Sequence, residues 1–221
     1  TGRLQPITTR MALTHIGLNR VIYVGTGRYL GSPDLTDPGA ASGIAYQQSI
    51  YAIKDKVVDT TTDYGNIRND ATFVVQTLTN TSTTTRSTST NPVDWNMNDG
   101  WRIDLNPGNT TPGERINVDP ELILGTLLIA SNIPNTSAAC TVGGESFLYQ
   151  FDFKTGQYIA NALNNVAGQL LGGITVGMAV VQLPSGAIKD IITSADTSKT
   201  SQGVNVGAAT AALRRFSYRE R

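Results

Sequence analysis

Hydrophobic residues occur along the chain in short runs separated by polar loops, and one stretch shows this most clearly. Two apolar runs, residues 122–129 and 147–153, flank a loop rich in Pro, Asn, Ser and Gly, and the sequence Asp-Phe-Lys-Thr-Gly ends the second run at residues 152–156. Short β-forming runs bounded by such clusters are typical of antiparallel strands. The pattern predicts a strand, a surface excursion and a returning strand closed by a tight turn.

An earlier stretch repeats this plan. Residues 20–27 read as a strand ending in Gly, a polar loop follows, and residues 48–55 read as the returning strand that ends in Asp55. A strand pair that recurs with long intervening loops favours propeller blades over a single sandwich. We therefore expect an all-β fold, a partial β-propeller of quinoprotein-like antiparallel blades, with the two pairs as equivalent sheets around a shared axis.

The remaining pattern adds further elements. Residues 77–91, a Thr-rich run, suit an exposed edge strand, a hairpin or a mobile loop. Residues 158–171 place apolar residues at helical spacing and predict one short helix or an ordered insertion. Residues 40–48 predict a helical turn, and 184–186 a turn between strands. The other predicted strands are residues 5–13, 71–79, 100–105, 114–118, 174–183, 187–194 and 208–218.

Composition and charge narrow the function classes. The chain has 221 residues with 17 basic and 17 acidic side chains, and this balance argues against a nucleic-acid partner, which needs a concentrated basic patch. The basic residues at the end alternate with others and predict the solvated face of a last strand; they are Arg214, Arg215, Arg219 and Arg221. No apolar run is long enough to span a bilayer. We expect residues 1–221 to be a piece of a longer protein.

The reactive side chains do not form a catalytic set. Cys140 is the only cysteine, so no disulfide can form within the chain, and a partner cysteine outside it stays open. We interpret Cys140 as a small residue of a polar loop rather than as a nucleophile. A catalytic cysteine needs a base nearby, and the single histidine, His15, belongs to an unrelated segment. We assign no catalytic residue and expect a protein that is not an enzyme.

Glycine and aspartate motifs also miss the spacing that ligands require. Residues 24–31, VGTGRYLG, place the third Gly one position too late for a dinucleotide fingerprint, and no helix can follow. The loop aspartates lack the spacing of a calcium loop; they are Asp34, Asp37, Asp59, Asp63 and Asp70. We assign no cofactor-binding residue and no metal ligand.

Two alternatives stay open at this point. Quinoprotein oxidoreductases also have repeating strands that end in Asp-x-x-Thr-Gly, as residues 152–156 do. The chain lacks an adjacent cysteine pair of the kind found in their cofactor pockets, so the quinoprotein hypothesis ranks second. A structural β module of a fibre or capsid is the third, since neutral chains rich in Thr and Gly allow it.

An ordered series of motifs runs through nearly the whole chain: residues 5–8, 24–31, 48–55, 100–101, 113–115, 126–134, Cys140, 143–144, 146–156 and 214–220. In this order they resemble the C-terminal part of the β-propeller of the PilY-type proteins, the tip-associated biogenesis factors and adhesins of bacterial type IV pili. The resemblance implies that residues 1–221 are the C-terminal portion of one propeller domain.

The resemblance implies a non-catalytic role in pilus assembly, tip-associated adhesion, control of retraction and twitching motility. It implies pilin or minor pilin subunits, the rest of the parent propeller, and a host or surface receptor as partners. It also implies a location at the bacterial cell surface or pilus tip, reached by periplasmic or outer-membrane transit. In relatives a calcium loop regulates extension and retraction; that loop would lie upstream of Thr1, so we assign no cofactor to this chain.

Overall fold

The computed structural model describes residues 5–31, 34, 47–56, 65–135, 143–160 and 162–206. Within these ranges the strands form a ten-stranded sheet and a three-stranded sheet. The large sheet contains β1 (Ala12–Ile16), β2 (Asn19–Gly25), β3 (Ser49–Asp55), β4 (Phe73–Asn80), β5 (Thr85–Thr88), β6 (Gly100–Asp104), β7 (Glu121–Ile123), β8 (Thr126–Pro134), β9 (Gly144–Asp152) and β10 (Gly168–Gly172). The small sheet contains β11 (Thr175–Gln182), β12 (Ile188–Ser194) and β13 (Lys199–Gly203).

Both strand pairs that the sequence predicted are present. β2 pairs antiparallel with β3, and β8 pairs antiparallel with β9 over nine residue pairs. The tight turn after β9 also forms, because the Asp152 carboxylate accepts hydrogen bonds from the Lys154 and Thr155 backbone N–H groups at 2.9 and 3.0 Å. These predictions are confirmed.

The two pairs do not form separate sheets, which corrects one expectation. The order of the large sheet is β1-β2-β3-β6-β4-β5-β10-β9-β8-β7. Strand β4 joins its halves: residues 73–77 pair in parallel with β6, and residues 78–80 pair antiparallel with β5. One long strand therefore belongs to both halves, and its parallel pairing departs from the purely antiparallel blades expected.

The apolar run at residues 122–129 hides a turn. It was expected to be one strand, but it contains β7, a two-residue turn and the start of β8. Leu124 and Gly125 both have positive φ, 46° and 81°, as a tight hairpin of this twist requires. Leu124 carries none of the usual turn signals, so the hydrophobic pattern concealed it.

The predicted helix at residues 158–171 is wrong. A short 3-10 turn, Leu163–Asn165, is followed two residues later by β10. Asn164 and Asn165 both have φ of 57°, which an α-helix does not allow. β10 lies between β5 and β9, where Gly168 packs so closely that a Cβ would lie 2.5 Å from the Tyr149 ring.

Several smaller differences concern strand limits. The first strand begins at Ala12 rather than at residue 5. Residues 114–118 contribute one isolated bridge, between Arg115 and Asn132, rather than a strand. Strand β13 was not predicted. The predicted closing strand at 208–218 and all but the last two residues of the helical turn at 40–48 lie outside the described residues, as do Cys140 and the terminal arginines.

A row of aromatic rings forms the core of the large sheet and connects its halves. Tyr23 of β2 contacts Trp101 of β6 at 6.1 Å between ring centres, and Trp101 contacts Phe151 of β9 at 6.5 Å. Phe151 stacks on Tyr149 at 5.3 Å, and Tyr149 stacks on Phe147 at 6.0 Å. The alternation along β9 therefore points three aromatic residues into one core.

The opposite face of β9 receives the small sheet. Leu148 and Leu171 of the large sheet form a second apolar cluster with Ile192 of β12. Hydrogen bonds fix this packing at its edge, because the Gln150 side chain donates to the Gly203 carbonyl at 2.9 Å and Thr126 donates to the Asn205 carbonyl at 2.6 Å. The small sheet is therefore docked on residues that alternate with the main core.

Candidate binding surface and its buried base

The Thr-rich run folds as an ordered hairpin. Strands β4 and β5 pair, and residues 81–84 form its exposed tip. The Ser82 hydroxyl accepts hydrogen bonds from the Thr84 and Thr85 backbone N–H groups, both at 3.1 Å, and lies 2.7 Å from the Thr85 hydroxyl. Of the three structures the sequence allowed, the hairpin is the one formed. β5 pairs on both sides and is not an edge strand.

A second polar loop, residues 106–113, lies beside this hairpin. Asn80 contacts it through its side-chain amide, which donates to the Thr110 hydroxyl at 3.0 Å. Asn106 and Asn109 have φ of 60° and 58°, and asparagine tolerates this left-handed backbone better than most residues. We call residues 79–85 and 106–113 together the threonine–asparagine surface.

Arg86 ties this surface to the interior. Its side chain is 1% exposed, yet its Nε donates to the Asn80 amide oxygen at 3.1 Å and its Nη2 donates to the Thr111 hydroxyl at 3.0 Å. Nη1 donates to both carboxylate oxygens of Glu114, at 2.8 and 2.9 Å. One guanidinium therefore connects the hairpin, the adjacent loop and a buried carboxylate.

Glu114 accepts hydrogen bonds from every side. Besides Arg86, its donors are the Ser131 hydroxyl at 2.6 Å, the Thr111 hydroxyl at 2.7 Å, the Tyr149 hydroxyl at 2.8 Å and the Asn106 backbone N–H at 3.0 Å. A buried charge is tolerated when it is paired and its remaining lone pairs are satisfied. The Glu114 carboxylate, which is fully buried, meets both conditions.

Aromatic rings complete the base. The Arg86 Cζ lies 3.6 Å from the centre of the Phe147 ring, a cation–π geometry. Burial, followed by the charge of Glu114, raises the pKa of the Tyr149 hydroxyl well above its usual range. Tyr149 therefore stays a neutral donor to Glu114 while it accepts from Arg86.

This arrangement suits binding by hydrogen bonds. The surface carries hydroxyl and amide groups whose backbone is already held by internal bonds, so a partner would not need to order it. Pre-organisation of this kind reduces the entropic cost of association.

The other described candidates from the sequence are not among the hydrogen-bond partners of Arg86 and Glu114. His15 is exposed on β1, opposite Arg20. Asp34 accepts from the Leu30 N–H at 2.9 Å and from Arg28 at 2.7 Å, and these contacts, the backbone one first, lower the pKa of its carboxyl despite its burial. It is engaged in its own loop rather than in a ligand site.

The glycine stretch at residues 24–31 serves close packing. A Cβ on Gly25 would lie 2.5 Å from the Ile116 side chain, and one on Gly27 would lie 2.6 Å from the Ile116 backbone nitrogen. Ile116 also donates its N–H to the Thr26 carbonyl at 3.0 Å. The glycines let the segment around Ile116 cross β2 at its end.

Two further findings concern the described ranges. No group of three or more His, Cys, Asp or Glu side chains there is placed to hold a metal ion. The same ranges contain no helix with the length and apolar character needed to cross a bilayer.

Sequence reasoning did not find Arg86 and Glu114. Arg86 is the single charge in the Thr-rich run and Glu114 follows a Pro-Gly turn, so both look like ordinary surface residues. The available signal was position: a lone arginine that alternates with outward residues of a strand points inward. Its partner lies 28 positions away, beyond any local pattern.

Comparison with known proteins completes the description. No family model matches the chain. The chain is 25% identical over 222 residues to the type IV pilus biogenesis factor PilY1 homolog of Xylella fastidiosa, an alignment that covers 99% of this chain and 13% of that protein. In structure it is similar to the crystal structure of the Pseudomonas aeruginosa PilY1 C-terminal domain, with a TM-score of 0.71 and 20% identity, covering 91% of this chain and 45% of that one.

These matches confirm the resemblance and the fold class that the sequence predicted, an all-β, propeller-like domain. They rest on different observations, since one compares residues and the other compares the path of the backbone. The chain therefore has the fold of the PilY1 C-terminal domain and is similar in sequence, over nearly its whole length, to a PilY1 homolog named as a type IV pilus biogenesis factor.

Proposed function

We propose that this chain is part of a non-enzymatic propeller that supports type IV pilus assembly by binding protein partners at the pilus tip. The observation that carries the proposal is the sequence relation to a PilY1 homolog across 99% of the chain. The fold match to a PilY1 C-terminal domain supports it. Adhesion to surfaces and control of pilus retraction are parts of the same proposal.

The threonine–asparagine surface is the proposed contact site for pilin or minor pilin subunits or for a surface receptor. Residues 79–84 are all exposed, while their base is fixed by the buried Arg86 and Glu114 pair. Interfaces of transient complexes combine polar contacts of this kind with a rigid scaffold.

The edge strand β1 is the proposed contact for the rest of the parent propeller. Within the described residues it pairs only with β2, and an unpaired strand edge invites a further strand. Exposed apolar residues lie on and before it, including Met11 and Leu13, which are 57% and 68% exposed. This contact would complete the domain of which residues 1–221 are the proposed C-terminal portion.

A gene deletion in the encoding bacterium tests the general function. The proposal predicts loss of surface pili and of twitching motility, restored by the wild-type gene. Normal piliation and motility after deletion would contradict the role in pilus assembly.

Surface variants test the contact site separately. Thr79→Arg and Thr83→Arg add bulk and charge on the threonine–asparagine surface, and Thr200→Arg adds the same group on an exposed position of β13. We expect the first two, with unchanged protein levels, to reduce surface pili or attachment, and the third to have no effect. Equal behaviour of all three would rule out this surface while leaving the pilus function intact.

A further inference from the structure

The outer face of the β4–β5 hairpin carries hydroxyl groups at alternate positions of both strands. Thr79 pairs with Ser87. The Thr81 backbone N–H donates to the Thr85 carbonyl at 3.0 Å, and the hydroxyl groups of these two residues lie 2.8 Å apart. Because side chains alternate along a strand, Thr77 shares this face. We call the set the hydroxyl ladder: Thr77, Thr79, Thr81, Thr85 and Ser87.

The opposite face of the hairpin is buried and fixes the ladder in place. The buried side chains that alternate with the ladder are Gln76, Leu78, Arg86 and Thr88. Beyond the end of β5 the pairing continues through Ser89, whose N–H donates to the Thr77 carbonyl and whose hydroxyl accepts from the Thr77 N–H, both at 2.9 Å. A ligand would therefore meet a backbone that is already ordered.

Two rungs of the ladder have unused hydrogen-bonding capacity. Thr77 and Thr79 are exposed, and neither hydroxyl has a hydrogen-bond partner in the described part of the chain. A hydroxyl group can donate one hydrogen bond and accept two. Residues two positions apart on a strand are separated by about 6.6 Å, and neighbouring strands by about 4.8 Å. The face thus offers donors and acceptors in a regular, flat arrangement.

The ladder carries no charge of its own. The charged side chains beside it belong to one group on the β6 side, where Asp104 pairs with Thr77 in the parallel register. The Asp104 carboxylate accepts from Arg68 at 2.8 Å and from Arg102 at 3.1 Å. Because these groups are engaged with one another, the chemistry of the face matches a neutral ligand better than a charged one.

The other border of the ladder adds an apolar contact. The Ser87 hydroxyl donates to the Asn165 carbonyl at 2.7 Å, which holds the turn at residues 163–165 beside β5. Leu163 of this turn is 82% exposed. Together with the threonine methyl groups it offers apolar contact next to the hydroxyl groups.

We propose that the hydroxyl ladder binds a neutral polysaccharide with a flat, ribbon-like chain, such as a β-1,4-linked glucan. The sugar hydroxyls would donate to and accept from the threonine hydroxyls, and the C–H groups of the sugar rings would contact the methyl groups and Leu163. This inference rests on the proposed function, because it names the chemical class of the surface receptor that the threonine–asparagine surface would contact.

A titration of the ¹⁵N-labelled 221-residue chain with cellohexaose, followed by NMR, tests the proposal. We expect shift changes concentrated at residues 77–87. Because the ladder contains no aromatic ring on which a sugar could stack, we expect a dissociation constant on the order of 1 mM. Hexagalacturonic acid, an anionic sugar chain of the same length, should bind more weakly.

Variants of the two free hydroxyls identify the contact. Thr77→Val combined with Thr79→Val keeps the methyl groups and the strand but removes both hydroxyls, so we expect cellohexaose to bind about tenfold more weakly. Thr77→Ser combined with Thr79→Ser restores the hydroxyls and should retain binding. Thr200→Val, the same change at an exposed position of β13, should leave binding unchanged.

Three results would overturn the proposal: no shift changes with millimolar cellohexaose, equal binding by the valine pair and the wild type, or tighter binding of hexagalacturonic acid. Pili on the encoding bacterium separate this proposal from the proposed function. If cellohexaose does not bind and the valine pair reduces surface pili, the ladder contacts a protein; the glycan is then wrong and the pilus function remains. Normal piliation after gene deletion contradicts the pilus function whatever the titration shows.

Discussion

Glu114 and Asp190 are both carboxylates without solvent exposure, one within the large sheet and the other between the two sheets. Glu114 is paired with Arg86 and accepts from three hydroxyl groups and a backbone N–H. Neither carboxylate oxygen of Asp190 has a hydrogen-bond partner among the described residues, and burial raises the pKa of this carboxyl. The same group is thus fully compensated in one region and uncompensated in the other.

The effect of a buried carboxylate on its surroundings depends on whether its lone pairs have hydrogen-bond donors. A carboxylate whose lone pairs are all satisfied fixes several segments in one arrangement, because each would lose a strong bond by moving. A carboxylate without partners favours its neutral form and makes its region sensitive to pH. The threonine–asparagine surface therefore rests on a fixed base, whereas the small sheet packs over a carboxylate whose charge depends on pH.

The largest expected effect comes from breaking the compensated pair. Glu114→Gln leaves the Arg86 guanidinium buried without a counter-charge, so we expect the free energy of unfolding to fall by about 3–5 kcal/mol. Urea denaturation of the chain measures this, with the exposed Glu145→Gln as the control. A loss below about 1 kcal/mol would mean that the pair does not carry the stability we assign to it.

A smaller loss is expected when one donor is removed. Tyr149→Phe keeps the stacked ring but deletes the hydroxyl between Arg86 and Glu114, so we expect destabilisation of about 1–3 kcal/mol. The Glu114→Gln, Tyr149→Phe double variant should lose less than the sum of the two single losses, because both residues belong to one network. Additive losses in the denaturation curves would contradict a shared network.

Substitution of the uncompensated carboxylate, Asp190, should change the free energy of unfolding in the opposite direction. At about pH 8 we expect Asp190→Asn to stabilise the chain by about 1 kcal/mol, since the amide removes a charge from a poorly solvated site. Well below about pH 4, the ordinary carboxyl value, a carboxyl with a raised pKa is protonated, and the two proteins should unfold at similar urea concentrations. Destabilisation by this variant at the higher pH would contradict the comparison.

The smallest loss of stability is expected when an ion pair near the surface is broken. Arg68 donates to both oxygens of Asp104 at 2.8 Å, but each side chain is 34% exposed. We expect Arg68→Gln to cost about 0.2–1 kcal/mol and less at high salt.

Acid should remove the contribution of this pair. Burial tends to raise the pKa of Asp104, but donation from Arg68 and Ser49 outweighs it and the pKa is lowered. The stabilisation is therefore present above about pH 4, the ordinary carboxyl range, and is lost as pH falls through the lowered value. A loss from Arg68→Gln that equals that of Glu114→Gln would show that burial does not separate the two pairs.

The local pattern of apolar and turn residues was sufficient to predict much of the large sheet. β2, β3 and β9 were predictable because their apolar runs are β-rich and bounded by turn residues. The turn at residues 124–125 was missed because leucine is an unusual first residue for it, and Gly125 was the signal available. The helix at 158–171 was wrong because apolar residues of an irregular segment fell by coincidence at helical spacing.

The buried carboxylates were less accessible to sequence reasoning. Arg86 meets Glu114 only after β4, β5 and β9 assemble, and Asp190 is buried only when the two sheets dock. Such contacts depend on tertiary placement over long separations rather than on spacing. Hydrophobic pattern predicts which strands form, but not which charged groups they bring together.

The most direct test of this comparison is the titration of the Asp190 carboxyl in the full chain, followed by NMR of its ¹³C-labelled side chain. We predict a midpoint above the ordinary carboxyl value of about 4. An Asp190 midpoint at or below that ordinary value would show that the carboxylate is compensated and would contradict the difference drawn between the two regions.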